Sequence, residues 1–180
     1  MTNAADFVSH ETLPDGRDIV IRAARPDDRQ RIAAAFASLD RESVYTRFFS
    51  YKSELSEREL GALDTLDFER DVMLVVTAPA AQGEAVVASA RCIAHDAADG
   101  ARAAEVAFTV TEPYQGNGIA GRLFDHLRRI AQDAGVVRFE ADVLPGNRAM
   151  LAVFRRTGLP LTERRGDGVV HLTLALPPRA

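Results

Sequence analysis

Apolar residues recur along the first third of the chain with two different spacings, and each spacing predicts a different element. Residues 18–23 alternate as a strand does, and the Pro-Asp-Gly turn at residues 14–16 predicts an initial hairpin. Helical spacing follows over residues 26–39 and 42–49, and again after a Ser-x-x-Glu capping box at residues 56–59. The pattern therefore predicts a hairpin followed by two to three helices.

Three short apolar runs lie in the middle of the chain, at residues 72–77, 85–93 and 103–111, with turn-forming segments between them. Runs of this length with such separators are typical of consecutive antiparallel strands. Apolar residues at helical spacing then mark one face over residues 119–134, and Gly135 predicts the end of that helix. This part of the chain therefore predicts a three-stranded meander and a long helix.

The last part of the chain returns to alternation. A strand predicted over residues 136–143 would place Val137 and Phe139 on its apolar face. Asn147 predicts the N-cap of the next helix, and an Arg-Gly-Asp-Gly turn near the C-terminus predicts a closing hairpin. This order of elements predicts an α+β fold with a mixed, largely antiparallel sheet flanked by helices.

The composition is that of one soluble globular domain, with 47% hydrophobic and 27% charged residues, and we expect a single domain over residues 1–180. The 22 basic and 26 acidic side chains give a formal net charge of −4, and Lys and Arg form no long run. The electrostatic footprint of a nucleic-acid-binding protein is therefore missing. No apolar run approaches the roughly 20 residues of a membrane span, and no targeting segment is recognisable. We expect a cytoplasmic protein without nucleic acid or membrane partners.

Few residues could carry metal or nucleophilic chemistry. Cys92 is the single cysteine and lies among alanines at the two-residue period of a strand, which predicts a core position rather than a nucleophile. The histidines are scattered at spacings that form no metal-ligand cluster, so we predict no metal site. They are His10, His95, His126 and His171.

Residues 104–122 carry the most informative pattern, a strand that leads into a glycine-rich turn and then a helix. The first turn of a helix has unpaired backbone N–H groups and the positive end of the helix dipole, so it can bind phosphate without basic side chains. A P-loop is excluded because Arg122 and Leu123 stand where that motif needs Lys and Ser or Thr.

The dinucleotide-binding fingerprint G-x-G-x-x-G is the serious rival, because Gly116, Gly118 and Gly121 match it. Asp142 follows at about the 20-residue spacing that this motif expects. Residues 112–115, however, separate the first glycine from its strand, whereas the fingerprint follows its strand directly. The closing hairpin also leaves no room for the further βα units of that fold, so a different phosphate-binding loop is favoured.

The segment Gln-Gly-Asn-Gly-Ile-Ala at residues 115–120 resembles the Gln/Arg-x-x-Gly-x-Gly/Ala signature of the GNAT acetyltransferases. Asn147 and the Arg-Arg-Thr-Gly-Leu segment at residues 155–159 resemble the later motif of the same superfamily. The resemblance implies the GNAT acyl-CoA N-acyltransferase fold, with acetyl-CoA as cosubstrate and its pyrophosphate on the loop amides. It implies these cofactor-binding residues: Phe108, Thr109, Val110, Gln115, Gly116, Asn117, Gly118, Ile119, Ala120, Gly121 and Asn147.

The N-terminal half narrows the resemblance. Residues 13–22, 25–28, 42–49 and 67–71 look like the catalytic domain of bacterial Pat-type protein lysine acetyltransferases, so the similarity covers nearly the whole chain. It implies an N-acetyltransferase whose acceptor is a protein lysine. An acetyltransferase for a small amine or antibiotic, and a non-catalytic acyl-CoA-binding domain, remain alternatives. Pat-type enzymes usually carry a fused regulatory domain, for which 180 residues leave no room, so we expect no such regulation within this chain.

Glu105 is the candidate general base. It is the single carboxylate within the strand that leads to the loop, and Ala107 and Thr109 on its face are small enough to leave space. Pat-type enzymes carry a catalytic Glu at the matching position, ten residues before the Gln of the signature, so the resemblance implies the same role here. Glu140 and Asp142 on the next strand are alternatives as base or as cation-binding groups, and an ordinary solvent-facing position is the other alternative for each.

The resemblance also bears on the leaving group and on the thioester carbonyl. Many GNAT enzymes place a Tyr near the late Gly to protonate the leaving thiolate, but Phe154 stands in that neighbourhood, and Pat-type relatives commonly lack the Tyr as well. Because a thiolate leaves readily at neutral pH, no dedicated acid is expected, and Tyr114 is predicted to be a packing or loop residue. Splayed strands with a local bulge, as the superfamily implies, would let a backbone N–H of residues 108–110 polarise the carbonyl.

Overall fold

The computed structural model describes residues 3–48, 52 and 54–178. Short 3₁₀ turns precede several of the regular elements. The helices and strands, in chain order, are β1 Val8–Thr12, β2 Asp18–Ala23, α1 Arg29–Ala37, α2 Arg41–Phe48, α3 Glu57–Gly61, β3 Asp71–Ala80, β4 Gly83–Asp96, β5 Arg102–Val110, α4 Ile119–Asp133, β6 Arg138–Val143, α5 Arg148–Arg155, β7 Leu161–Gly166 and β8 Val169–Ala175.

The described strands form one sheet in the order β1-β2-β3-β4-β5-β6-β8-β7. Every neighbouring pair is antiparallel except β5 and β6, which run parallel because α4 carries the chain back across the sheet between them. The predicted fold class, a mixed and largely antiparallel sheet flanked by helices, is confirmed. The initial hairpin, the central meander and the closing hairpin are confirmed as well.

The main core lies between one face of the sheet and the helices α4 and α5. Four buried phenylalanines from β5, β6 and these two helices meet there with ring centroids 5.6 to 6.3 Å apart. Three of the four ring contacts are edge-on and one is stacked, and both arrangements add stability beyond the area that the rings bury. The four are Phe108, Phe124, Phe139 and Phe154. This core fixes α4 and α5 against β5 and β6, which is where the glycine-rich turn lies.

The other face of the sheet is covered by α1 and by the turn after α3, which bury a smaller cluster that includes Leu63 and Val75. The capping box that opens α3 forms as predicted: the Glu59 N–H donates to Ser56 Oγ at 3.2 Å, and the Ser56 N–H donates to Glu59 Oε2 at 2.7 Å. The helix predicted over residues 42–49 is α2, and its last predicted residue lies outside the described part of the chain.

The strand predicted over residues 136–143 was expected to bury Val137, and this expectation is wrong. Val137 is 48% exposed, whereas Val136 is buried. The reason is that β6 begins only at Arg138, so the preceding residues still belong to the turn after α4 and do not follow strand alternation.

A buried ion pair was not foreseen. Arg22 on β2 is 4% exposed and Asp28 is fully buried, and two hydrogen bonds of 2.7 and 2.8 Å join the guanidinium to the carboxylate. The Arg25 N–H donates to the same carboxylate at 2.8 Å. Burial opposes ionisation of Asp28, but these hydrogen bonds outweigh it and lower the pKa of Asp28. The pair ties β2 to the first turn before α1.

Candidate active site

Strands β5 and β6 are paired over only part of their length. Their parallel ladder has three rungs, and the last joins Glu105 to Glu140. Beyond this rung β5 continues to Val110 and β6 continues to Val143 without pairing to each other. The two strands therefore separate, and a wedge-shaped opening begins directly above Glu105.

A cavity of about 740 Å³ occupies this opening, a size typical of small-molecule sites. The ends of β5 and β6 form two of its walls, the glycine-rich turn and the first turn of α4 form a third, and α5 with part of α2 closes it. Of the residues predicted to bind the cofactor, those that line it are Phe108, Thr109, Val110, Gln115, Gly116, Gly118, Ile119, Ala120, Gly121 and Asn147.

Backbone N–H groups of β5 point into the opening. The Arg102 carbonyl accepts from the Val137 N–H near β6, whereas the Thr111 N–H donates to the Val87 carbonyl of β4. Because the N–H and C=O of successive strand residues point to opposite sides, the even-numbered residues of β5 direct theirs toward β6. The N–H groups of Phe108 and Val110 therefore face the cavity, beyond the last rung of the β5–β6 ladder.

The local irregularity of the sheet lies beside this point, in β4 rather than in β5. Val76 pairs with Ala88 and Thr77 with Val86, so Val87 is an additional residue that bulges from the ladder between β3 and β4. Both the N–H and the Oγ1 of Thr111 donate to the Val87 carbonyl, at 2.9 and 3.0 Å. This double contact holds the end of β5 in place as the chain turns toward α4.

The glycine-rich turn leaves its backbone accessible. Gly116 and Gly118 have φ angles of 75° and 77°, in the left-handed region that favours glycine. A Cβ at either position would meet no atom within 4 Å, so the space beside the backbone is open. Gly118 is the N-cap of α4 and supplies no side-chain cap, which leaves the first N–H groups of a 15-residue helix available to an anion.

Two of the predicted site residues do not line the cavity. Within the described part of the chain, Glu105 and Asn117 are not among the residues that line the cavity. The Asn117 Nδ2 donates to the Gln115 carbonyl at 3.1 Å, and the Gln115 Nε2 donates to the Val110 carbonyl at 3.0 Å. These side chains brace the turn. Asn147 lines the opposite wall and caps α5 as predicted, because its Oδ1 accepts from the Met150 N–H at 3.2 Å.

Other charged residues also line the cavity and were not predicted. Arg148 and Arg156 come from α5 and its end, and Asp40 and Arg47 come from α2 and the residue before it. Arg156 lies inside the later motif, and Arg47 lies inside the segment 42–49 that resembles the Pat-type catalytic domain, but neither signal placed the side chain at the cavity. The approach of α2 to the cavity depends on how this helix packs over the sheet.

Glu105 is exposed at the bottom of the opening. Among the residues that the structure describes, no side chain forms a hydrogen bond or an ion pair with its carboxylate. Arg47 is the neighbouring positive charge: burial lowers the pKa of Arg47, Arg91 adds to that effect, and Glu105 opposes it. The Glu105 carboxylate is thus available to a ligand.

The carboxylates of Glu140 and Asp142 on β6, unlike that of Glu105, contact charged or polar side chains. Glu140 accepts from Arg138 Nε at 3.0 Å and lies 3.3 Å from His95 Nε2, so both of its oxygens are engaged. Asp142 lines the cavity, and its Oδ1 lies 2.5 Å from His171 Nδ1. Glu140 is therefore the least suited of the three acidic residues to accept a proton from a ligand.

Cys92 is 3% exposed, and burial raises the pKa of its thiol to about 12. The predicted core position is confirmed, and a thiolate nucleophile there is excluded by the same burial. In the described ranges, no three His, Cys, Asp or Glu side chains come together as metal ligands. The described helices also include none that is both long and apolar enough to span a membrane.

Known proteins match this chain at the level of sequence and of fold. The profile of the acetyltransferase (GNAT) family matches residues 38–159. Acetyltransferase Pat of Mycolicibacterium smegmatis is 36% identical over 137 residues, which are 76% of this chain and 39% of that protein. The chain thus spans well under half the length of this curated relative.

Solved structures give the same picture. The GNAT domain of S. lividans PAT superposes with a TM-score of 0.82 at 32% identity, over 94% of this chain and 97% of that one. The yncA protein of Salmonella typhimurium, solved with acetyl-CoA, has a TM-score of 0.69 at 17% identity, over 90% of this chain and 96% of that one, and so shows the fold alone. The matches in sequence and fold show that the chain belongs to the acetyltransferase (GNAT) family, whose cosubstrate is acetyl-CoA.

Proposed function

We propose that this protein transfers an acetyl group from acetyl-CoA to the side-chain amine of a protein lysine, by direct attack with Glu105 as the general base. The observation that carries the proposal is the place of Glu105 on the last rung before β5 and β6 separate. A carboxylate there stands at the bottom of the opening, on the same strand as the Phe108 and Val110 N–H groups that face the cavity.

The turn before α4 is suited to the pyrophosphate of the donor. The amides of residues 116–121 combine an accessible backbone with the positive end of the helix dipole, so they can hold two phosphates without a lysine. Arg148 and Arg156 at the same cavity add positive charge for further phosphate oxygens. The bound acetyl-CoA supplies a thioester, and the opening between β5 and β6 is the route by which that thioester would reach Glu105.

Glu105 would relieve the main barrier on the acceptor side. A lysine amine with a pKa of about 10.4 must lose its proton before it can attack, which costs roughly 4.6 kcal/mol at pH 7. Glu105 lies two residues, or about 6.6 Å along β5, from Ala107, which lines the cavity. A glutamate side chain can cover that separation directly or through one water molecule, as a general base must.

The electrons and protons of the transfer balance without a further group. Glu105 takes one proton from the lysine ammonium, and the neutral nitrogen then forms a bond to the carbonyl carbon. As the carbon–sulfur bond breaks, the nitrogen of the adduct loses its second proton to water, and Glu105 returns its proton to solvent. The N–H groups of Phe108 and Val110 face the place where negative charge develops on the carbonyl oxygen. The thiolate of coenzyme A leaves and takes a proton from solvent.

No tyrosine is needed for that last step. Phe154 is 1% exposed in the aromatic core, so its position offers no group to the thiolate. Tyr114 lines the cavity, but the Arg17 guanidinium lies 4.0 Å from its ring centroid, which supports a packing role. The proposed reaction therefore needs a base from the protein, whereas water can protonate the leaving thiolate.

The choice of a protein lysine rests on two supports. Pat of M. smegmatis and the S. lividans PAT domain are the relatives with the strongest combination of identity and coverage described above. In addition, with Arg148 and Arg156 assigned to the donor phosphates, the carboxylates Asp40, Glu42 and Asp142 remain at the cavity to attract a cationic acceptor.

The proposal is tested by incubating the protein with acetyl-CoA and a mixture of lysine-containing peptides, with mass spectrometry for acetylated lysine and a thiol assay for free coenzyme A. The control is the same mixture with every lysine replaced by arginine, which keeps the charge and removes the acceptor amine. We expect acetyl-lysine and release of free coenzyme A only with the lysine peptides. Tight acetyl-CoA binding without turnover on any lysine peptide would contradict the proposed acceptor, and turnover on a small amine would replace it.

A further inference from the structure

Of the three carboxylates that β5 and β6 bring to the opening, Asp142 has a setting that the base assignment does not explain. It follows Glu140 by two residues on β6, so its side chain is on the same face of the sheet as Glu105. It lies about 6.6 Å further along the strand than the last rung. Unlike Glu140, it lines the cavity.

One neighbour holds this carboxylate in place. His171 on β8 is the cross-strand partner of Asp142, and its Nδ1 lies 2.5 Å from Asp142 Oδ1. Because a carboxylate oxygen only accepts, the ring proton of this contact is on Nδ1. The other ring nitrogen, Nε2, is buried and has no hydrogen-bond partner among the described residues.

This arrangement leaves one oxygen of Asp142 for a ligand. The contact with His171 Nδ1 engages only Oδ1. The Asp142 side chain is half-exposed, and within the described part of the chain its Oδ2 forms no hydrogen bond, so that oxygen can accept one from a ligand.

We propose that Asp142, positioned by His171, binds the ammonium group of the acceptor before Glu105 removes its proton. Glu105 and Asp142 then have separate roles, one as base and one as anchor, because one stands at the last rung and the other on the wall above it. The small side chain of Ala107, on the same face of β5 as Glu105, leaves room for a primary amine on an unbranched alkyl stem. This inference rests on the proposed transfer to an amine in this cavity and names the group that selects a cationic acceptor.

A simple cation tests the subsite without need of turnover. The protein is titrated with n-butylammonium chloride, with and without coenzyme A, and followed by ¹H–¹⁵N NMR, with n-butanol as the uncharged control. We expect saturable shifts at Asp142 and His171 with butylammonium and none with butanol. Absence of binding by the wild-type protein would overturn the subsite, whereas lysine peptides that are not acetylated would affect only the proposed function.

Two substitutions with the same change of charge separate the carboxylates. Asp142→Asn should weaken butylammonium binding by about tenfold, because it removes a charge-assisted hydrogen bond. Glu140→Gln, on the same strand and face, should change the affinity by less than about threefold, since both oxygens of Glu140 are already engaged. If Asp142→Asn does not fold, Asp142→Ser is used with the same expectation. A folded variant at position 142 that binds as the wild type does would overturn the proposal.

His171 is tested as a positioning residue. In His171→Asn the side-chain amide can donate where Nδ1 does now, whereas His171→Leu removes the donor. We expect His171→Asn to bind butylammonium nearly as the wild type does and His171→Leu to approach the weakness of Asp142→Asn. With an acceptor that turns over, His171→Leu should raise KM and change kcat little. Equal affinities of His171→Leu and the wild type would overturn the positioning role.

Discussion

Glu105 and Glu140 form the last rung between the parallel strands β5 and β6, and the strands separate immediately beyond it. The rung brings two carboxylates onto the same face, but only one of them is free to act. Arg138 and His95 engage Glu140, while Glu105 has no hydrogen-bond or ion-pair partner among the described residues. The geometry of one rung thus places the proposed base at the start of the opening in which acetyl-CoA would lie.

The first prediction concerns the glycine-rich turn. Gly118→Asp should abolish acetyl-CoA binding, because it places a carboxylate where the helix N-terminus would meet the pyrophosphate. The fold should survive, since a Cβ there meets no atom within 4 Å and the left-handed φ of 77° costs only about 1–2 kcal/mol. Calorimetric titration with acetyl-CoA measures the loss.

The matched control is Gly100→Asp. Gly100 lies in the turn between β4 and β5 with a φ of 79° and equally open space, so the backbone strain and the added charge are the same. Its acetyl-CoA affinity should stay within a few-fold of the wild type. A Gly118→Asp protein that is folded and binds acetyl-CoA normally would show that the turn has another role.

The second prediction concerns the buried pair of Arg22 and Asp28. Asp28→Asn should lower the free energy of unfolding by about 3 kcal/mol, because it leaves a buried guanidinium with less compensating charge. Glu163→Gln, which removes a carboxylate paired with Arg155 at the surface, should leave the free energy of unfolding nearly unchanged. Urea unfolding of the two variants measures both values.

The pH dependence of that difference has a defined sign. The pKa of Asp28 is lowered in the folded protein, so the carboxylate contributes stability fully above its ordinary pKa, at about pH 4 and higher. As the pH falls below that value, the unfolded chain takes up a proton that the folded protein resists, and the contribution is lost. The stability gap between wild type and Asp28→Asn should therefore shrink toward low pH, and a gap that widens there would contradict the assignment.

The third prediction concerns Cys92. Because burial raises the pKa of the thiol to about 12, the native protein should not react with a disulfide reagent such as DTNB at pH 8. In a denaturing concentration of urea one thiol per chain should react. Rapid labelling of the native protein would show that this part of the sheet opens readily.

The strands and the helices α4 and α5 were predictable, because each of these elements has one buried face and a regular spacing of apolar residues. The buried Arg22 was not, since a charged residue on a strand predicts a solvent-facing side chain unless its partner, here Asp28, is known. Val137 was misplaced because alternation does not show where a strand begins. The glycine-rich turn was recognisable because its backbone conformation, with positive φ at Gly116 and Gly118, itself requires glycine.

The walls of the site depended on tertiary packing. The sequence of neither strand predicts that β5 and β6 separate. The approach of Arg47 to the cavity depends on how α2 lies over the sheet. Asp142 appeared in the sequence as one of two equivalent carboxylates on β6. The contacts of Glu140 with Arg138 and His95, and of Asp142 with His171, distinguish them. The contacts with the histidines depend on how the strands are arranged in the sheet, which has no signal in β6 itself.

The most direct test of the account is the separation of binding from chemistry in Glu105→Gln. This change keeps the size of the side chain and removes its basicity, so acetyl-CoA affinity should stay within a few-fold while turnover on a lysine peptide falls roughly 10²–10⁴-fold at pH 7. Raising the pH should partly restore the rate, because solvent then supplies more neutral amine. Glu140→Gln is the control and should keep turnover within a few-fold. Wild-type turnover of Glu105→Gln at pH 7 would contradict the assignment of Glu105 as the base.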